Sequence, residues 1–328
     1  MALQIEQLQI PGYEQVVTFR AEDFCCYIAL HSTKLGPALG GCRVKPYSSE
    51  AEVLRDALRL SKAMSYKSSL AGLNFGGGKC CVMADTVTPE IMRQVGEAVN
   101  FFQGRYITAE DVGTSLADTA IAGEVTPYVA RLDGSPMTAR GVLAATMAAV
   151  RHLDQWDGLE VPLWVQGLGK VGMDVVRRLK GHPNLYVSDL RADRVTEAKA
   201  LGAAELGETD RKFITVYLPC ALGFVVTPGN VHTLTYSIIC GAANNQLADD
   251  SYADVLRRGH VLYVPDFLAN AGGVICSAYE AQEPYDQTAC EAATDRLGDR
   301  VLEVLETAKH DGVAPLVAAN RLAEARLY

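Results

Sequence analysis

A glycine-rich turn at residues 167–172 constrains the fold of this 328-residue chain more than any other feature. It reads G-x-G-x-x-G. An apolar, strand-like segment (162–166) precedes it, and a helical pattern with Val175, Val176 and Leu179 on one face follows. A second apolar segment (185–188) ends at Asp189. A chance glycine turn is the alternative, but this order of elements predicts a parallel α/β unit that binds a dinucleotide.

Each part of this motif has a physical role in such a unit. Gly167 permits the tight turn, Gly169 lets a pyrophosphate approach the backbone, and Gly172 lets helix and strand pack closely. The N-terminus of the helix supplies free N–H groups for the phosphates. Asp189 would accept hydrogen bonds from the ribose and repel a 2′-phosphate, which favours NAD over NADP, although Arg191 could soften that preference.

The length of the chain favours two domains, because it exceeds the usual size of one hydrophobic core. Strand and helix patterns alternate on both sides of residues 128–136, where Asp133-Gly134-Ser135-Pro136 has turn chemistry. We therefore predict an α/β fold with an N-terminal α/β substrate domain at 1–130, a doubly wound Rossmann-type domain at 136–285, and C-terminal helices at 286–328.

The individual elements follow from hydrophobic periodicity. In the first domain we predict strands at 15–20, 24–31, 80–84 and 105–108. Helices begin after Ser49, which has Glu52 in capping-box position, and at Pro89. In the second domain we predict a helix at 139–153 and strands at 162–166, 185–188, 213–218, 236–240 and 260–264.

Charge and hydropathy exclude several classes of protein. The net charge of −9 and the pI of about 5.2 argue against binding to nucleic acid or to anionic membranes. The first residues lack the pattern of a signal peptide, and the longest apolar helical run, Gly141 to Val150, is too short to span a bilayer. These features predict a cytoplasmic protein.

The nine cysteines form no C-x-x-C pair. Cys25–Cys26 and Cys80–Cys81 are adjacent in sequence, so the two thiols of each pair would point to opposite faces of a strand and could not bind one metal from one side. We interpret all nine as reduced, mostly buried thiols and predict no metal site.

A second glycine-rich stretch, residues 65–80, contains Lys67 and Lys79, with Gly76–Gly78 directly before the second lysine. One interpretation is a flexible loop with an exposed lysine. The apolar flanks, Phe75 and residues 80–82, favour a buried segment instead.

Seven blocks in order along nearly the whole chain resemble the glutamate/leucine/phenylalanine/valine dehydrogenase family, and the branched-chain and aromatic L-amino acid dehydrogenases look most similar. The blocks are TKLGPALGGCR, DALRLSKAMSYKSSLAGLNFGGGK, TAEDVGT, GLGKVG, PCALG, GAANNQL and NAGGVICSAYE. The resemblance implies NAD-dependent, reversible oxidative deamination of an L-amino acid to a 2-oxo acid and ammonia. It also implies a homo-oligomer, dimer or larger, with C-terminal helices that return toward the N-terminal domain.

The resemblance assigns three charged residues to the chemistry. Lys67 matches the lysine that binds the substrate carboxylate, Lys79 the general base and Asp111 the acid that exchanges protons with the substrate nitrogen. A dry environment and the nearby charge of Lys67 would favour the neutral amine of Lys79, and Gly76–Gly78 would let a loop close on the substrate. An ordinary helix N-cap is the alternative for Asp111, although Thr114 and Ser115 compete for that role.

Other positions match substrate and cofactor contacts of the family. Gly40, Gly41 and Asn245 match positions at the substrate. The cofactor positions are Gly167, Leu168, Gly169, Lys170, Val171, Gly172, Asp189, Leu190, Cys220, Ala221, Ala242, Asn244 and Asn270.

The substrate side chain is predicted from the residue before Gly40. Glutamate enzymes of the family typically have lysine there, whereas this chain has Leu39, which offers a carboxylate no partner. Leu39, Ala109, Val274 and Ser277 are the expected pocket residues, and they favour an apolar amino acid of the leucine/valine or phenylalanine/tryptophan type. Ser277 is more typical of glutamate enzymes, so glutamate dehydrogenase-like activity is one alternative, and an inactive NAD-binding paralogue is another.

Overall fold

The computed structural model of the chain describes residues 3–153, 160–282 and 284–328, with the backbone alone at 208–210. The chain forms two compact α/β units. The first comprises Met1–Asp133, Val274–Gln287 and Ala323–Tyr328, and the second comprises Gly134–Gly273 and Thr288–Leu322. The boundary between Asp133 and Gly134 lies in the segment with turn chemistry.

The first unit is built on a seven-stranded mixed sheet. Its elements are β1 (Gln4–Leu8), β2 (Gln15–Ala21), β3 (Phe24–Ser32), β4 (Ala38–Leu39), β5 (Cys42–Lys45), α1 (Glu50–Leu70), β6 (Gly76–Met83), α2 (Pro89–Asn100), β7 (Tyr106–Ile107) and α3 (Leu116–Ala122). The strand order is β1-β2-β3-β6-β4-β7, and β5 also pairs with β6. β6 is antiparallel to β3 and parallel to β4 and β5, so it lies in the middle of the sheet.

Helix α1 begins at the predicted cap, but the capping box is incomplete. The Ser49 hydroxyl accepts from the Glu52 amide at 3.3 Å, whereas the Glu52 carboxylate accepts from the amide of Ser48 rather than of Ser49. Val53 and Ala57 are buried as predicted, while Leu60 and Met64 are only half-buried. In the last turns the small residues Ser61, Ser65, Ser68 and Ser69 are buried instead.

The prediction that Gly76–Gly78 form a loop is wrong, because β6 begins at Gly76 and all three glycines are buried strand residues. A Cβ on Gly77 would lie 2.1 Å from the Ser65 amide nitrogen of α1, and one on Gly76 would lie 1.9 Å from the Ser32 carbonyl oxygen. On Gly78 a Cβ would meet the Tyr106 ring at 2.6 Å. The glycines therefore let α1 and the neighbouring strands approach the backbone of β6, and they are not hinges of a closing loop.

The second unit is the expected doubly wound domain. Its elements are α4 (Ser135–His152), β8 (Leu163–Gln166), α5 (Lys170–Arg178), β9 (Leu185–Ser188), α6 (Ala192–Ala200), β10 (Ala204–Glu205), β11 (Val216–Pro219), β12 (Ile238–Ile239), α7 (Tyr252–Arg258), β13 (Leu262–Tyr263) and α8 (Asp266–Ala269). The six strands are parallel in the order β10-β9-β8-β11-β12-β13. This is the Rossmann order, and its switch point lies between β8 and β11, where the strand order reverses.

Three strands of the second unit are shorter than predicted or begin later. A 3₁₀ helix at Glu208–Phe213 precedes β11, so this strand begins at Val216 rather than at residue 213. β12 and β13 have only two paired residues each. Apolar residues outside these pairs, such as Cys240 and Val264, are buried without being part of a strand, so apolar runs overestimate strand length here.

The C-terminal part of the chain is divided between the two units. It contains α9 (Gly272–Glu280), α10 (Gln287–Asp295), α11 (Leu297–Asp311) and α12 (Pro315–Leu327). Glu280 accepts hydrogen bonds from the Arg131 and Leu132 amides, which places Val274–Gln287 in the first unit. α11 packs against α4 and belongs to the second unit. The predicted segment 286–328 is therefore not one structural block.

The final residues of the chain contact α1. The Ser69 hydroxyl donates to the Ala323 carbonyl at 2.8 Å, and the Tyr66 hydroxyl donates to Glu324 at 2.6 Å. Ala323–Tyr328 therefore counts with the first unit.

The cysteine pairs have the predicted arrangement. Cys26 and Cys80 lie in one buried cluster with their sulfur atoms 3.4 Å apart, and Cys81 lies in the cluster on the opposite face, with Cys25 against it. All nine thiols are free, and seven of them are buried. No cluster of His, Cys, Asp and Glu suited to a metal ion exists among the described residues. In the same part of the chain, no helix has the length and hydropathy to cross a membrane.

Candidate active site

Lys79 is a buried lysine in the middle strand of the first unit. Its side chain is only 5% exposed, and its Nζ lies 3.0 Å from Oδ2 of Asp111. The alternative of a solvent-exposed lysine in a loop is therefore wrong. A buried charge requires a partner, and here that partner is a carboxylate.

Asp111 lies in a tight turn that follows β7. Its amide donates to the Thr114 hydroxyl at 2.9 Å, and the Thr114 amide donates back to its carbonyl at 3.0 Å. The N-cap of α3 is Ser115, which forms a complete capping box with Asp118. The alternative of Asp111 as a helix cap is therefore wrong, since its carboxylate bonds Lys79 and Arg43 instead.

Arg43 is a charged residue of this site that sequence reasoning missed. From β5 its Nε donates to Oδ2 of Asp111 at 2.8 Å. Burial alone would raise the pKa of Asp111, but the charges of Lys79 and Arg43 outweigh it and lower the pKa to about 2. Asp111 is therefore a carboxylate at neutral pH. The only signal in the sequence is that Arg43 follows Gly40 and Gly41 within one block.

Gly40 and Gly41 lie tightly against this pair of charges. A Cβ on Gly41 would lie 2.8 Å from the Cβ of Asp111, and one on Gly40 would lie 1.9 Å from the Gly78 carbonyl oxygen. Protein atoms already occupy the Cβ direction of both glycines, so a side chain at either position would force the backbone around the Lys79–Asp111 pair apart. The two glycines therefore let neighbouring segments pack closely beside the pair.

Lys67 lies in the last turn of α1, the helix that packs on β6. Met64, one turn earlier, places its Cγ 3.3 Å from the position that a Cβ of Gly40 would occupy. Residues three apart lie on the same face of a helix, so Lys67 projects from the face that meets Gly40. The closeness of the Lys67 and Lys79 ammonium groups stays a prediction.

The predicted pocket residues lie in three parts of the first unit: strand β4, the segment that follows β7, and helix α9. Leu39 is buried on β4 between Gly77 and Ile107, and the Ala109 carbonyl accepts from the Cys42 amide at 2.8 Å. Val274 and Ser277 are three residues apart on α9 and hence on one face of it. That these four residues surround one substrate side chain stays a prediction.

In the second unit, the glycine turn has the geometry that a dinucleotide requires. Gly167 adopts φ +94°, and a Cβ there would meet Ala221 at 2.5 Å. A Cβ on Gly172 would lie 1.9 Å from the Gly167 carbonyl oxygen, whereas nothing lies within 4 Å of the same position on Gly169. A side chain on Gly167 or Gly172 would thus clash with the protein, whereas the space beside Gly169 is open. Gly169 directly precedes Lys170 and Val171, the first residues of helix α5.

Asp189, directly after β9, forms hydrogen bonds to the glycine turn at 167–172 and to its own loop. Its carboxylate accepts from the amides of Leu168, at 2.6 Å, and Arg191, at 2.8 Å. The Arg191 guanidinium forms a salt bridge with Asp193 at 2.6 Å and is therefore not an unpaired cation beside Asp189.

A cleft of ≈ 980 Å³ opens over the carboxyl end of the second sheet. Its walls include Gly167, Asp189, Leu190 and Ala221, all predicted cofactor positions. Sequence reasoning missed its aromatic floor, where Trp164 stacks on Tyr217 with ring centroids 4.4 Å apart. These rings face each other because residues 164 and 217 are paired in the parallel register of β8 and β11.

Asn270 is a buried amide with one unused oxygen. Its Nδ2 donates to the Asn244 side chain at 2.8 Å and to the Ala242 carbonyl at 3.1 Å. Its Oδ1 is buried and accepts no hydrogen bond from the described residues. An orphaned buried acceptor calls for a donor from outside the chain, such as the carboxamide of a nicotinamide.

The remaining predicted residues lie in two loops of the second unit. Cys220 directly follows β11, and its amide donates to the Gln166 carbonyl at 2.7 Å. Asn245 adopts φ +52°, a left-handed conformation that asparagine tolerates. With the open face of Gly169 and the orphaned Asn270 oxygen, these residues fit a nicotinamide dinucleotide.

Two family models match the chain. The model described as Glu/Leu/Phe/Val dehydrogenase, dimerisation domain, matches residues 14–126, and the model described as Glutamate/Leucine/Phenylalanine/Valine dehydrogenase matches residues 189–327. Together they span most of the chain. The chain belongs to this family. The resemblance seen in the seven sequence blocks is thereby confirmed.

Curated relatives of this family member align over almost their entire length. Leucine dehydrogenase of Bacillus cereus is 37% identical over 346 residues, which covers 100% of this chain and 94% of the relative. Valine dehydrogenase of Streptomyces coelicolor is 39% identical, with 96% and 92% covered. This family member is an oxidoreductase of the amino acid dehydrogenase class, as the sequence predicted.

Solved structures confirm the two-domain α/β fold. The crystal structure of L-tryptophan dehydrogenase from Nostoc punctiforme superposes with a TM-score of 0.86 at 36% identity, with 96% of each chain covered. The hetero-hexameric glutamate dehydrogenase from Thermus thermophilus, at 19% identity and a TM-score of 0.74, covers 99% of this chain and 88% of its own and shares the fold.

Proposed function

We propose that the chain catalyses the NAD-dependent, reversible oxidative deamination of an apolar L-amino acid to its 2-oxo acid and ammonia. The observation that carries this proposal is the buried Lys79–Asp111 pair, which Gly40 and Gly41 pack against closely. The relatives named leucine, valine and L-tryptophan dehydrogenase support an apolar substrate.

Three charged residues of the first unit have separate roles in the reaction. Lys67 binds the carboxylate. Asp111, a carboxylate at neutral pH, takes a proton from the substrate ammonium, so that the nitrogen lone pair can form the C=N bond as hydride leaves Cα. Bound NAD supplies the hydride acceptor. Lys79 then takes a proton from the water that attacks the C=N carbon. Asp111 returns its proton to the nitrogen, the C–N bond breaks to release ammonia, and the remaining hydroxyl proton passes to Asp111 as the C=O bond of the 2-oxo acid forms.

The Lys79–Asp111 contact lets a proton pass directly between the two groups, because Lys79 Nζ lies 3.0 Å from Asp111 Oδ2. Lys79 accepts a proton from water only after it has released the proton of its ammonium form, and solvent is the acceptor of that proton.

The cofactor residues of the second unit hold NAD in this proposal. The amides at Gly169, Lys170 and Val171 bind the pyrophosphate at the start of α5. Asp189 binds the adenosine ribose in the cleft that Leu190 and Ala221 also line. Asn270 uses its free Oδ1 toward the nicotinamide.

A panel of L-amino acids, followed by NADH absorbance, tests the proposed function. We expect turnover of leucine, valine or phenylalanine at higher kcat/KM than glutamate, because Leu39 and Ala109 offer a side-chain carboxylate no partner and desolvation would disfavour it. Faster turnover of glutamate would contradict the apolar pocket. Binding of NAD without turnover of any amino acid would establish an inactive paralogue instead.

The preference for NAD over NADP is tested by removing the carboxylate that pairs with Arg191. Asp193→Ala removes the 2.6 Å salt bridge and leaves the guanidinium available to a 2′-phosphate. Since exposed ion pairs are weak, we expect the ratio of kcat/KM for NADP to that for NAD to rise by no more than about fivefold. Asp254→Ala, which removes an exposed acid from a similar pair on α7, is the control and should leave the ratio unchanged. An unchanged ratio in Asp193→Ala would assign the preference to Asp189 alone.

We further infer a cytoplasmic homo-oligomer, dimer or larger. The family model that matches residues 14–126 is described as a dimerisation domain, and β1 is an exposed edge strand with one partner, β2, among the described residues.

A further inference from the structure

The two carboxylate oxygens of Asp111 have different environments. Oδ2 accepts from Lys79 Nζ at 3.0 Å and from Arg43 Nε at 2.8 Å. Oδ1 accepts no hydrogen bond from any residue that the structure describes, although the side chain is 24% exposed. One oxygen is thus fixed by two cations, and the other is left for an external group.

The Arg43 guanidinium also binds a second carboxylate, on the side away from Asp111. Its Nη1 lies 3.3 Å from Oδ2 of Asp56 on α1, and the Tyr47 hydroxyl donates to the same oxygen at 3.1 Å. The side chains of Arg43 and Asp56 are 18% and 16% exposed. A planar guanidinium that bridges two carboxylates in this way has little rotational freedom, so it also restricts Asp111.

The groups around Asp111 come from every neighbouring element. Lys79 comes from β6 and Arg43 from β5, and Asp56 of α1 lies behind Arg43. The Cys42 thiol is close enough to interact with the Asp111 charge, and Glu110 is its chain neighbour. Lys79 and Arg43 are thus the two cations in direct contact with the carboxylate, so removal of Arg43 leaves a buried acid with one.

We propose that Arg43, anchored by Asp56, is a positioning residue that fixes Oδ2 of Asp111 and thereby directs Oδ1 to the substrate nitrogen as the proton acceptor. The inference rests on the proposed function. In the step concerned, an N–H bond of the substrate ammonium breaks and an O–H bond forms at Oδ1, so the amine becomes neutral and so does Asp111.

Arg43→Gln is the test, measured as kcat, KM and the pH dependence of kcat/KM with the amino acid that turns over best. We expect kcat to fall by about 10- to 100-fold, because small misplacements of a reacting group have effects of this size. The acid limb of kcat/KM should move to higher pH, because burial then raises the pKa of Asp111 with only one cation to offset it. Arg43→Lys, which keeps the charge but not the fork of donors, should restore the pH limb more fully than kcat.

Two further variants isolate the effect. Arg59→Gln is the matched control, since Arg59 bonds the other oxygen of Asp56 at 3.2 Å, is half-exposed and forms no hydrogen bond or salt bridge with Asp111; it should behave as wild type. Asp56→Asn should lower kcat with a smaller shift of the pH limb, because Arg43 keeps its charge but loses its anchor.

Two results would overturn the inference. One is an Arg43→Gln enzyme within twofold of Arg59→Gln in kcat and with the wild-type pH profile. The other is a fall in kcat with an unchanged pH limb, which a general loss of packing would produce. Both differ from failure of the proposed function, in which wild type itself would turn over no amino acid.

Discussion

Replacement of Lys79 by alanine is expected to lower kcat for amino acid oxidation by about 10²- to 10⁴-fold, the usual contribution of a general base. Lys79 is buried and lies 3.0 Å from Asp111, so its loss removes the proposed base for water and also one of the two cations that hold Asp111 as a carboxylate. Affinity for NAD should be unchanged, because the predicted cofactor residues belong to the second unit. Single-turnover kinetics and NAD titration by fluorescence measure the two effects separately.

The control for this variant is Lys62→Ala. Lys62 is exposed on α1 and contacts the Tyr66 ring, so it should tolerate the change with kcat within about twofold of wild type. Added primary amines should partly restore activity to Lys79→Ala, since the substitution leaves space for a small amine next to Asp111. A Lys79→Ala enzyme with kcat near wild type would exclude Lys79 as the base.

Gly77→Ala is expected to lower the free energy of unfolding by at least about 3 kcal/mol or to prevent folding of the first unit. The added Cβ would lie 2.1 Å from the Ser65 amide nitrogen and 2.4 Å from the Ser61 carbonyl oxygen. Both are backbone atoms of α1, so no side-chain rotation relieves the overlap and the helix must move away from β6. Urea denaturation followed by circular dichroism measures the change.

Gly229→Ala is the matched control for this substitution. The nearest atom to its new Cβ is the Thr227 hydroxyl at 3.8 Å, an ordinary contact, so its free energy of unfolding should stay within about 1 kcal/mol of wild type. If Gly77→Ala were as stable as Gly229→Ala, the glycines would be permissive positions and not close contacts.

The sequence predicts the fold well where one motif combines several local signals. Strand, glycine turn, helix and Asp189 are consecutive in the chain, and together they predict the Rossmann order that the second sheet has. The sequence likewise predicts that Lys79 is buried, since Phe75 and residues 80–82, which flank the glycines and Lys79, are apolar. These predictions depend on neighbours in sequence, which hydrophobic pattern and turn chemistry describe.

Errors arose where a residue's role depends on partners distant in sequence. Arg43 and Asp111 are 68 positions apart, and contacts between distant segments bring them together, among them the bridge from Cys42 to Glu110 and the hydrogen bond from the Cys42 amide to the Ala109 carbonyl. In the sequence, Gly76–Gly78 resemble a loop because glycine is common in loops. What excludes side chains is the packing of Ser65, Ser32 and Tyr106 on the strand, and no local pattern encodes it.

The contact between α1 and the glycines of β6 has a consequence for redesign of substrate range. Backbone atoms of α1, which carries Lys67, lie against the backbone of β6, which carries Lys79. The spacing between these two elements is therefore set by backbone atoms, and substitution of side chains cannot change it. If Leu39, Ala109, Val274 and Ser277 are the pocket residues, as predicted, we expect libraries that vary them to sample new substrates on an intact reaction centre. We expect libraries that include residues 76–78 to yield mostly proteins that do not fold.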